Sequence, residues 1–151
     1  MKNLCGNCKV CCIALKIGKE FLSWRDTDKE AGVVCDKLKK TGCGIYFKRP
    51  SPCKKYVCFW LQLSKQKIKQ PEWRPNKIGF IVSTEDKNNT YIFTIKELEK
   101  DSLDFNNLST EQDKFLKYMF NLTGKIDKEY TIMIHPFGHD KKYPLKFTPN
   151  T

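Results

Sequence analysis

The residues best suited to chemistry in this sequence are its eight cysteines, which all lie within the first 58 residues. A two-residue gap between cysteines lets a tight turn direct both sulfurs at one ion, and thiolates are good ligands for zinc and for iron–sulfur clusters. The spacing therefore predicts a metal site. Its candidate ligands are Cys5, Cys8, Cys11 and Cys12 in the motif CxxCxxCC, then Cys35, Cys43, Cys53 and Cys58.

The compartment decides between metal ligation and disulfide bonding. The first residues, 1–4, run directly into the cysteine cluster, with no apolar segment of the kind that begins a secretory signal. The apolar runs are also far shorter than the roughly 20 residues that a membrane span needs. We therefore expect a cytoplasmic protein with no membrane association, where a reducing environment favours metal ligation over disulfides.

The formal net charge is +11, and residues 1–60 account for +8 of it. Such an excess is typical of nucleic-acid binding. Eight thiolates around two divalent ions would, however, lower the net charge to +7. We expect part of the basic excess to neutralise metal–thiolate centres, because cations near cysteines favour the thiolate.

The pattern of the chain predicts an α+β protein in three parts. Residues 1–63 form a small cysteine-rich metal-binding lobe, residues 64–78 a basic connector with prolines, and residues 79–151 an α+β lobe. The alternative is one compact domain overall. In the first lobe we expect a short helix at 26–30 and a helix through 53–63. On a regular helix Cys58 would point about 140° away from Cys53, so either the helix starts between them or they serve different sites.

The second lobe is expected to contain a β-hairpin, one helix and a third strand. Segments 79–83 and 91–95 are strand-like, and the polar residues 86–89 between them favour a turn. A capping-box pattern at Ser109 and Gln112 predicts the start of the helix. The third strand is expected at 130–134.

The cysteine pattern resembles the bacterial family that is named for its CxxCxxCC motif and described as a zinc- or iron-chelating domain. Cys5, Cys8, Cys11 and Cys12 match that motif, and the stretch from Cys43 to Cys58, with Arg49-Pro50 and Tyr56, resembles the second motif of the family. The resemblance covers the first 60 residues and implies metal binding without a defined reaction. A related module in flagellin lysine methylases looks like an iron–sulfur site.

Zinc and iron–sulfur remain alternatives for the bound group. Eight thiolates divide into two four-thiolate zinc sites, and the adjacent Cys11 and Cys12 could serve neighbouring sites, which is why we favour zinc. Cys5, Cys8 and Cys11 also have the spacing of the first three ligands of a bacterial ferredoxin run, so iron or a 4Fe–4S cluster is the alternative. Cys53 or Cys58 could then supply the fourth ligand.

Other residues have weaker claims to function. Cys12 or Cys35 could be a packing residue. His135 and His139 could be metal or acid–base groups, but Pro136 and Gly138 between them exclude a regular helix, and loop histidines are the commoner case. The aromatics of residues 46–60, which alternate with lysines, could stack on single-stranded nucleic acid, although we favour their packing around the metal site.

No phosphate-binding loop, nucleophile motif or carboxylate pair with a base is present in the sequence. A hydrolytic enzyme therefore has no positive support, and we expect a metal-binding protein whose metal supports an interaction surface or takes part in metal handling. A protein partner fits this expectation. The alternatives are an iron–sulfur redox or accessory module and a basic zinc module that binds nucleic acid.

Overall fold

A computed structural model describes residues 5–68 and 70–145, and its mixture of helices and strands confirms the α+β class. The helices are α1 (Val10–Ala14), α2 (Ser51–Lys55), α3 (Phe59–Lys65), α4 (Pro75–Ile78) and α5 (Thr110–Thr123). The strands are β1 (Leu38–Lys39), β2 (Gly42–Cys43), β3 (Phe80–Lys87), β4 (Thr90–Glu97), β5 (Glu129–His135) and β6 (Tyr143–Pro144).

The largest element is a four-stranded sheet in the order β3-β4-β5-β6. Strands β3 and β4 are antiparallel, β4 and β5 are parallel, and β5 and β6 are antiparallel. A parallel pair requires a crossover connection, and α5 lies in that connection between β4 and β5. The predicted hairpin, helix and third strand are thus all present.

The hairpin turn is made by two asparagines. Asn88 and Asn89 have φ angles of 51° and 63°, and Lys87 is paired with Thr90 on the two sides of the turn. Two consecutive residues with positive φ give a turn whose twist matches that of the strands, and asparagine tolerates this conformation better than most residues. The polar segment that predicted the turn therefore has a direct conformational reason.

Helix α5 begins with the predicted capping box. The Ser109 hydroxyl accepts a hydrogen bond from the Gln112 backbone N–H, and the Gln112 side chain accepts one from the Ser109 N–H. The Gln112 side-chain amide also donates to the carbonyls of Ile78 and Ser102, both at 2.8 Å. One side chain therefore caps the helix and ties it to the segments before and after the hairpin.

The two faces of the sheet are used differently, because successive residues of a strand point to opposite sides. One face packs against α3 and α5 and forms the main core. Its buried residues include Phe80, Val82, Phe93, Ile95 and Ile132 from the sheet, with Phe59, Trp60, Leu63, Phe115, Leu116 and Met119 from the helices. On the other face, Ile81 packs against Val10 and Ala14 of α1. The cysteine-bearing helix α1 thus lies across the sheet from the main core.

The single helix expected through 53–63 is wrong, because the chain forms α2 and α3 with a break between them. Tyr56 and Cys58 both have extended backbone conformations, with ψ of 122° and 157°. The Tyr56 hydroxyl lies 2.7 Å from the Ser83 hydroxyl on β3, and Gln62 donates to the Val57 carbonyl at 3.0 Å. These tertiary contacts satisfy the polar groups at the break.

The short helix expected at 26–30 is also wrong. Lys29 instead forms an antiparallel bridge with Ile17, with two backbone hydrogen bonds of 2.9 Å. The Asp28 carboxylate, expected at a helix start, accepts from the Lys19 backbone N–H and pairs with Lys16. Bonding to the segment 16–19 therefore replaces the helical hydrogen bonds.

The boundaries expected at residues 63 and 78 remain a prediction. The expected connector contains a 3₁₀ turn at Pro71–Trp73 and then α4, and its residues Trp73 and Ile78 belong to the same core as the sheet. Within the described residues, no helix is long and apolar enough to cross a membrane.

We predict that Gln112→Ala destabilises the protein more than Ser109→Ala. The serine substitution removes one cap at a cost of about 1 kcal/mol. The glutamine substitution also leaves two carbonyls without their donor, so we expect about 2 kcal/mol or more. Urea unfolding followed by circular dichroism measures both. Lys117→Ala, which loses only an exposed ion pair on the same helix, is the control, and an equal loss in all three variants would contradict the prediction.

Candidate metal centre

Seven of the eight cysteines lie around one cavity of about 240 Å³. The remainder of its wall is largely apolar and aromatic, including Trp24, Tyr46 and Tyr56, with Arg49 at one side. Cysteines that are up to 48 positions apart in the chain are therefore brought to one place. The cysteines of the cavity wall are Cys5, Cys8, Cys11, Cys12, Cys35, Cys43 and Cys53.

The first cysteines are positioned by a turn and a short helix. The Cys8 backbone N–H donates to the Cys5 carbonyl at 3.1 Å, and Gly6 between them has a φ of +58°. Glycine adopts this conformation without steric cost, which allows the tight turn expected of a CxxC motif. Helix α1 then carries Cys11 and Cys12.

The later cysteines reach the cavity through long-range backbone contacts. The Cys35 N–H donates to the Cys12 carbonyl at 3.0 Å, which joins two segments 23 residues apart. Cys43 lies in the small β1–β2 hairpin, paired with Leu38. Cys53 is held in α2, which starts directly after Pro50. These contacts bring separate loops to one side of α1.

Cys58 is not among the residues that line the cavity. It lies immediately before α3, where it packs against both the main core and the smaller cluster of Val10, Ala14 and Ile81. Burial is the largest cause that raises the pKa of Cys58 to about 12, and the negative charges of Cys5, Cys8 and Cys11 act in the same direction. Cys58 therefore lies close to the first three cysteines, behind the cavity wall.

The electrostatic neighbours of the cysteines outline two groups of four, which overlap because the charge of Cys11 also acts on Cys53. The pKa of Cys5 is raised mainly by burial and then by the charges of Cys11 and Cys8, so these belong with Cys58. The charges of Cys43, Cys35 and Cys53 act to raise the pKa of Cys12. We call Cys5, Cys8, Cys11 and Cys58 the first group, and Cys12, Cys35, Cys43 and Cys53 the second group.

Cys11 and Cys12 join the two groups. A hydrogen bond between their side chains raises the pKa of Cys11 and lowers that of Cys12, so Cys12 is the more readily ionised of the pair. The charge of Cys11 also raises the pKa of Cys53, after burial. Neighbouring positions on α1 thus face different sets of cysteines, as the CC doublet suggested.

Two arginines flank the first group. The charges of Arg49 and Arg74 both lower the pKa of Cys5, against the larger effect of burial. Arg49 lies over the Tyr46 ring at 3.9 Å from its centroid and donates to the Tyr46 carbonyl at 2.7 Å. Arg74 lies 5.2 Å from the centroid of Trp60. Both cations are therefore fixed near sulfur rather than free in solvent.

Lys29 is a supporting residue that the sequence did not reveal. Its side chain is 1% exposed, and its ammonium group donates to the carbonyls of Ile13 and Leu15 at 2.9 and 2.6 Å. Lys96 donates to the Ala14 carbonyl at 2.6 Å. Helix ends leave carbonyls without partners, and these two lysines satisfy them at the end of α1. Burial lowers the pKa of Lys29, while the charges of Cys35 and Cys12 oppose that shift.

All eight cysteines are partly buried, including Cys12 and Cys35, the two candidates for packing residues. Within residues 5–68 and 70–145, no group of three or more His, Cys, Asp or Glu side chains is placed so that it could hold a metal ion. Seven cysteines therefore share one cavity without forming a coordination shell, and binding an ion would require sulfurs to move closer together.

The two histidines lie away from these cysteines. His135 ends β5, and its Nε2 is 2.6 Å from the backbone carbonyl of His139. Neither histidine lines the cysteine cavity. The loop between them is held by a hydrogen bond from the Phe137 N–H to the Glu97 carboxylate. The contact between His135 and the His139 carbonyl therefore closes a loop after β5.

We predict that the metal-free protein loses stability as the pH rises from about 9 to about 12. Because burial raises the pKa of Cys58 above its ordinary value of 9.0, the folded state holds that proton more tightly than the unfolded state. The stabilisation is complete below pH 9 and is lost as the pH passes the folded pKa. Thermal unfolding of wild type and Cys58→Ala across this range tests it, since the alanine variant should have the flatter profile.

Comparison with models of protein families, with curated proteins and with solved structures finds no match. The resemblance to the CxxCxxCC family therefore stays a prediction from the motif residues. Any inference about function has to be based on the arrangement of the cysteines.

Proposed function

We propose that this protein binds metal through its cysteines, with zinc in two four-thiolate sites. The observation that carries the proposal is the convergence of seven cysteines on one cavity, with the eighth directly behind its wall. Cysteine thiolates are soft donors that zinc and iron both accept, and four of them complete a tetrahedral zinc site. The described residues around the cavity offer no comparable set of hard oxygen donors.

The division of the cysteines supports two sites rather than one. Each group contains four cysteines, and Cys11 and Cys12 place neighbouring sulfurs in different groups. The first group would take one zinc and the second group another. Arg49 and Arg74 would offset part of the negative charge that four thiolates around a divalent ion leave.

A structural role for the metal is supported by the small core beneath it. The cysteine-bearing segments rest on the cluster of Val10, Ala14 and Ile81, whereas the main core lies on the other side of the sheet. Small modules with little core gain much of their folding free energy from a bound metal. The metal would then hold the loops that form the surface of this part of the protein, either for a protein partner or for metal handling.

An iron–sulfur cluster in the first group is the second candidate. Cys5, Cys8 and Cys11 follow the ferredoxin spacing, and Cys58 is a neighbour that could be the fourth ligand. A cluster there would assign a redox or accessory role to the protein. The second group would then be free to bind a separate metal.

We predict about two zinc ions per chain, and no visible absorption band, in protein purified anaerobically without added metal. Elemental analysis together with a visible spectrum makes this measurement. About four iron atoms with matching sulfide and a brown colour would replace zinc with a cluster. Protein that contains neither metal, and that takes up none when zinc or iron and sulfide are supplied, would refute the proposal.

We predict that single serine substitutions release metal from one group at a time. Cys8→Ser should lose the metal of the first group and destabilise the N-terminal segments, and Cys43→Ser should lose only the metal of the second group. Tyr56→Phe is the control, because it removes the hydrogen bond to Ser83 beside the cavity but no sulfur. A folded Cys8→Ser variant with full metal content would show that Cys8 is not a ligand.

A further inference from the structure

The positive charge of this protein is concentrated in one stretch. Residues 37–71 contain ten Lys and Arg and no Asp or Glu, so the rest of the chain has a net charge of only +1. The ion pairs found in the described part of the chain all use cations outside this stretch. The ammonium groups within residues 37–68 are therefore not neutralised by a carboxylate of the described chain.

The cysteines do not account for this surplus. Arg49 faces the cavity and lowers the pKa of Cys5, Cys11 and Cys53, against the larger effects that raise them. Seven lysines of the same stretch are instead exposed on the surface. They are Lys39, Lys40, Lys48, Lys54, Lys55, Lys65 and Lys67.

An exposed aromatic ring lies in the same stretch of sequence as these lysines. Phe47 is 70% exposed, more than any other large apolar side chain in the described residues. Its ring meets Tyr46 edge-on at a centroid distance of 5.4 Å, and Tyr46 is in turn covered by the Arg49 guanidinium. The Phe47 ring, next to Lys48 in sequence, therefore packs against a tyrosine that Arg49 covers. Burying such a ring would require something outside the described chain.

Local contacts tie the basic segments to one another. Arg49 donates to the Tyr46 carbonyl and to the Cys53 carbonyl, which links the turn that carries Phe47 to α2, the helix that carries Lys54 and Lys55. The Lys39 side chain lies against Gly44, within 3 Å of the position that a β-carbon would take there. Lys9 adds another amine by donating to the Lys40 carbonyl. We call the set Lys39, Phe47, Lys48, Lys54 and Lys55 the basic platform.

We propose that the basic platform binds single-stranded nucleic acid, with Phe47 stacking on a base and the lysines contacting phosphates. Proteins that bind single strands without sequence preference combine these two features, because every base has a stacking face and every nucleotide a negative charge. The proposal goes beyond the metal site and does not require it to contain a particular metal.

The composition of the platform distinguishes this partner from the other polyanions. An acidic protein would need the lysines but not the exposed ring. A membrane surface is bound by several apolar side chains that insert together, whereas Phe47 is the single exposed large apolar residue within 37–68 of the described chain. The other aromatics of this stretch have different surroundings, because Phe59 and Trp60 are buried in the main core and Tyr46 and Tyr56 line the cysteine cavity.

The test is fluorescence anisotropy with labelled oligo-dT and oligo-rU of about 15 nucleotides, in about 50 to about 200 mM salt. We expect binding that weakens steeply with salt, because log K falls against log salt with a slope of roughly −0.7 for each phosphate that the lysines neutralise. Phe47→Ala should weaken binding roughly fivefold or more by removing the stack. A preference for either oligonucleotide supports the proposal and identifies which nucleic acid is bound.

The matched control separates the platform from the overall charge. Lys54→Glu/Lys55→Glu should weaken binding and flatten the salt dependence, whereas Lys114→Glu/Lys117→Glu on α5 makes the same change in net charge away from the platform. Equal effects of the two double variants, no effect of Phe47→Ala, or tighter binding to duplex DNA or to anionic phosphatidylserine vesicles would each overturn the proposal. Circular dichroism and metal content are measured for every variant, so that the metal proposal and this one can fail separately.

Discussion

The arrangement of the cysteines depends on the contact between α1 and the face of the sheet opposite the main core. Ile81 lies between Phe80 and Val82 in sequence but points to the other side, where it meets Val10 and Ala14. Because successive side chains of β3 point to opposite faces of the sheet, this one strand contributes residues to both cores. Because α1 carries Cys11 and Cys12, this contact places the centre of the cysteine cavity relative to the rest of the protein. The lysines that bond to the end of α1 hold a helix that is too short to be stable alone.

The break between α2 and α3 has a similar effect on the other side of the cavity. Cys53 lies in α2 and lines the cavity, whereas Cys58 follows the break and lies behind the wall, close to the first cysteines. A continuous helix would have pointed these two sulfurs in directions about 140° apart. In the structure, extended residues separate the two cysteines, so that Cys53 neighbours the second group and Cys58 the first group. The Tyr56 hydroxyl anchors this break to β3.

The basic residues have two kinds of surroundings: some lie beside the cysteines, and others are exposed at the surface. Burial raises the pKa values of Cys5, Cys53 and Cys58 and so favours their protonated thiols. Arg49 and Arg74 reduce that cost near the first group, and the buried Lys29 lies close enough to Cys12 and Cys35 for their charges to act on it. Among the described residues, the exposed lysines of the basic platform take part in none of the ion pairs. A net charge computed from sequence merges these two populations, but the structure separates them by burial.

Local patterns in the sequence were sufficient for several elements. The hairpin, the capped helix α5 and the third strand follow from short apolar runs, turn asparagines and a capping box, all of which act over a few residues. The cysteine spacing likewise predicted the turn at Cys5 and Cys8, whereas the assignment of Cys11 and Cys12 to neighbouring metal sites stays a prediction. Other features required tertiary structure, because they depend on contacts between distant residues. The helix expected at 26–30 gave way to a bridge between Lys29 and Ile17, and the helix through 53–63 was interrupted by bonds to β3 and within the break. The burial of Lys29, and the grouping of Cys58 with cysteines about fifty residues earlier, leave no local signal, since both arise only when α1 packs on the sheet.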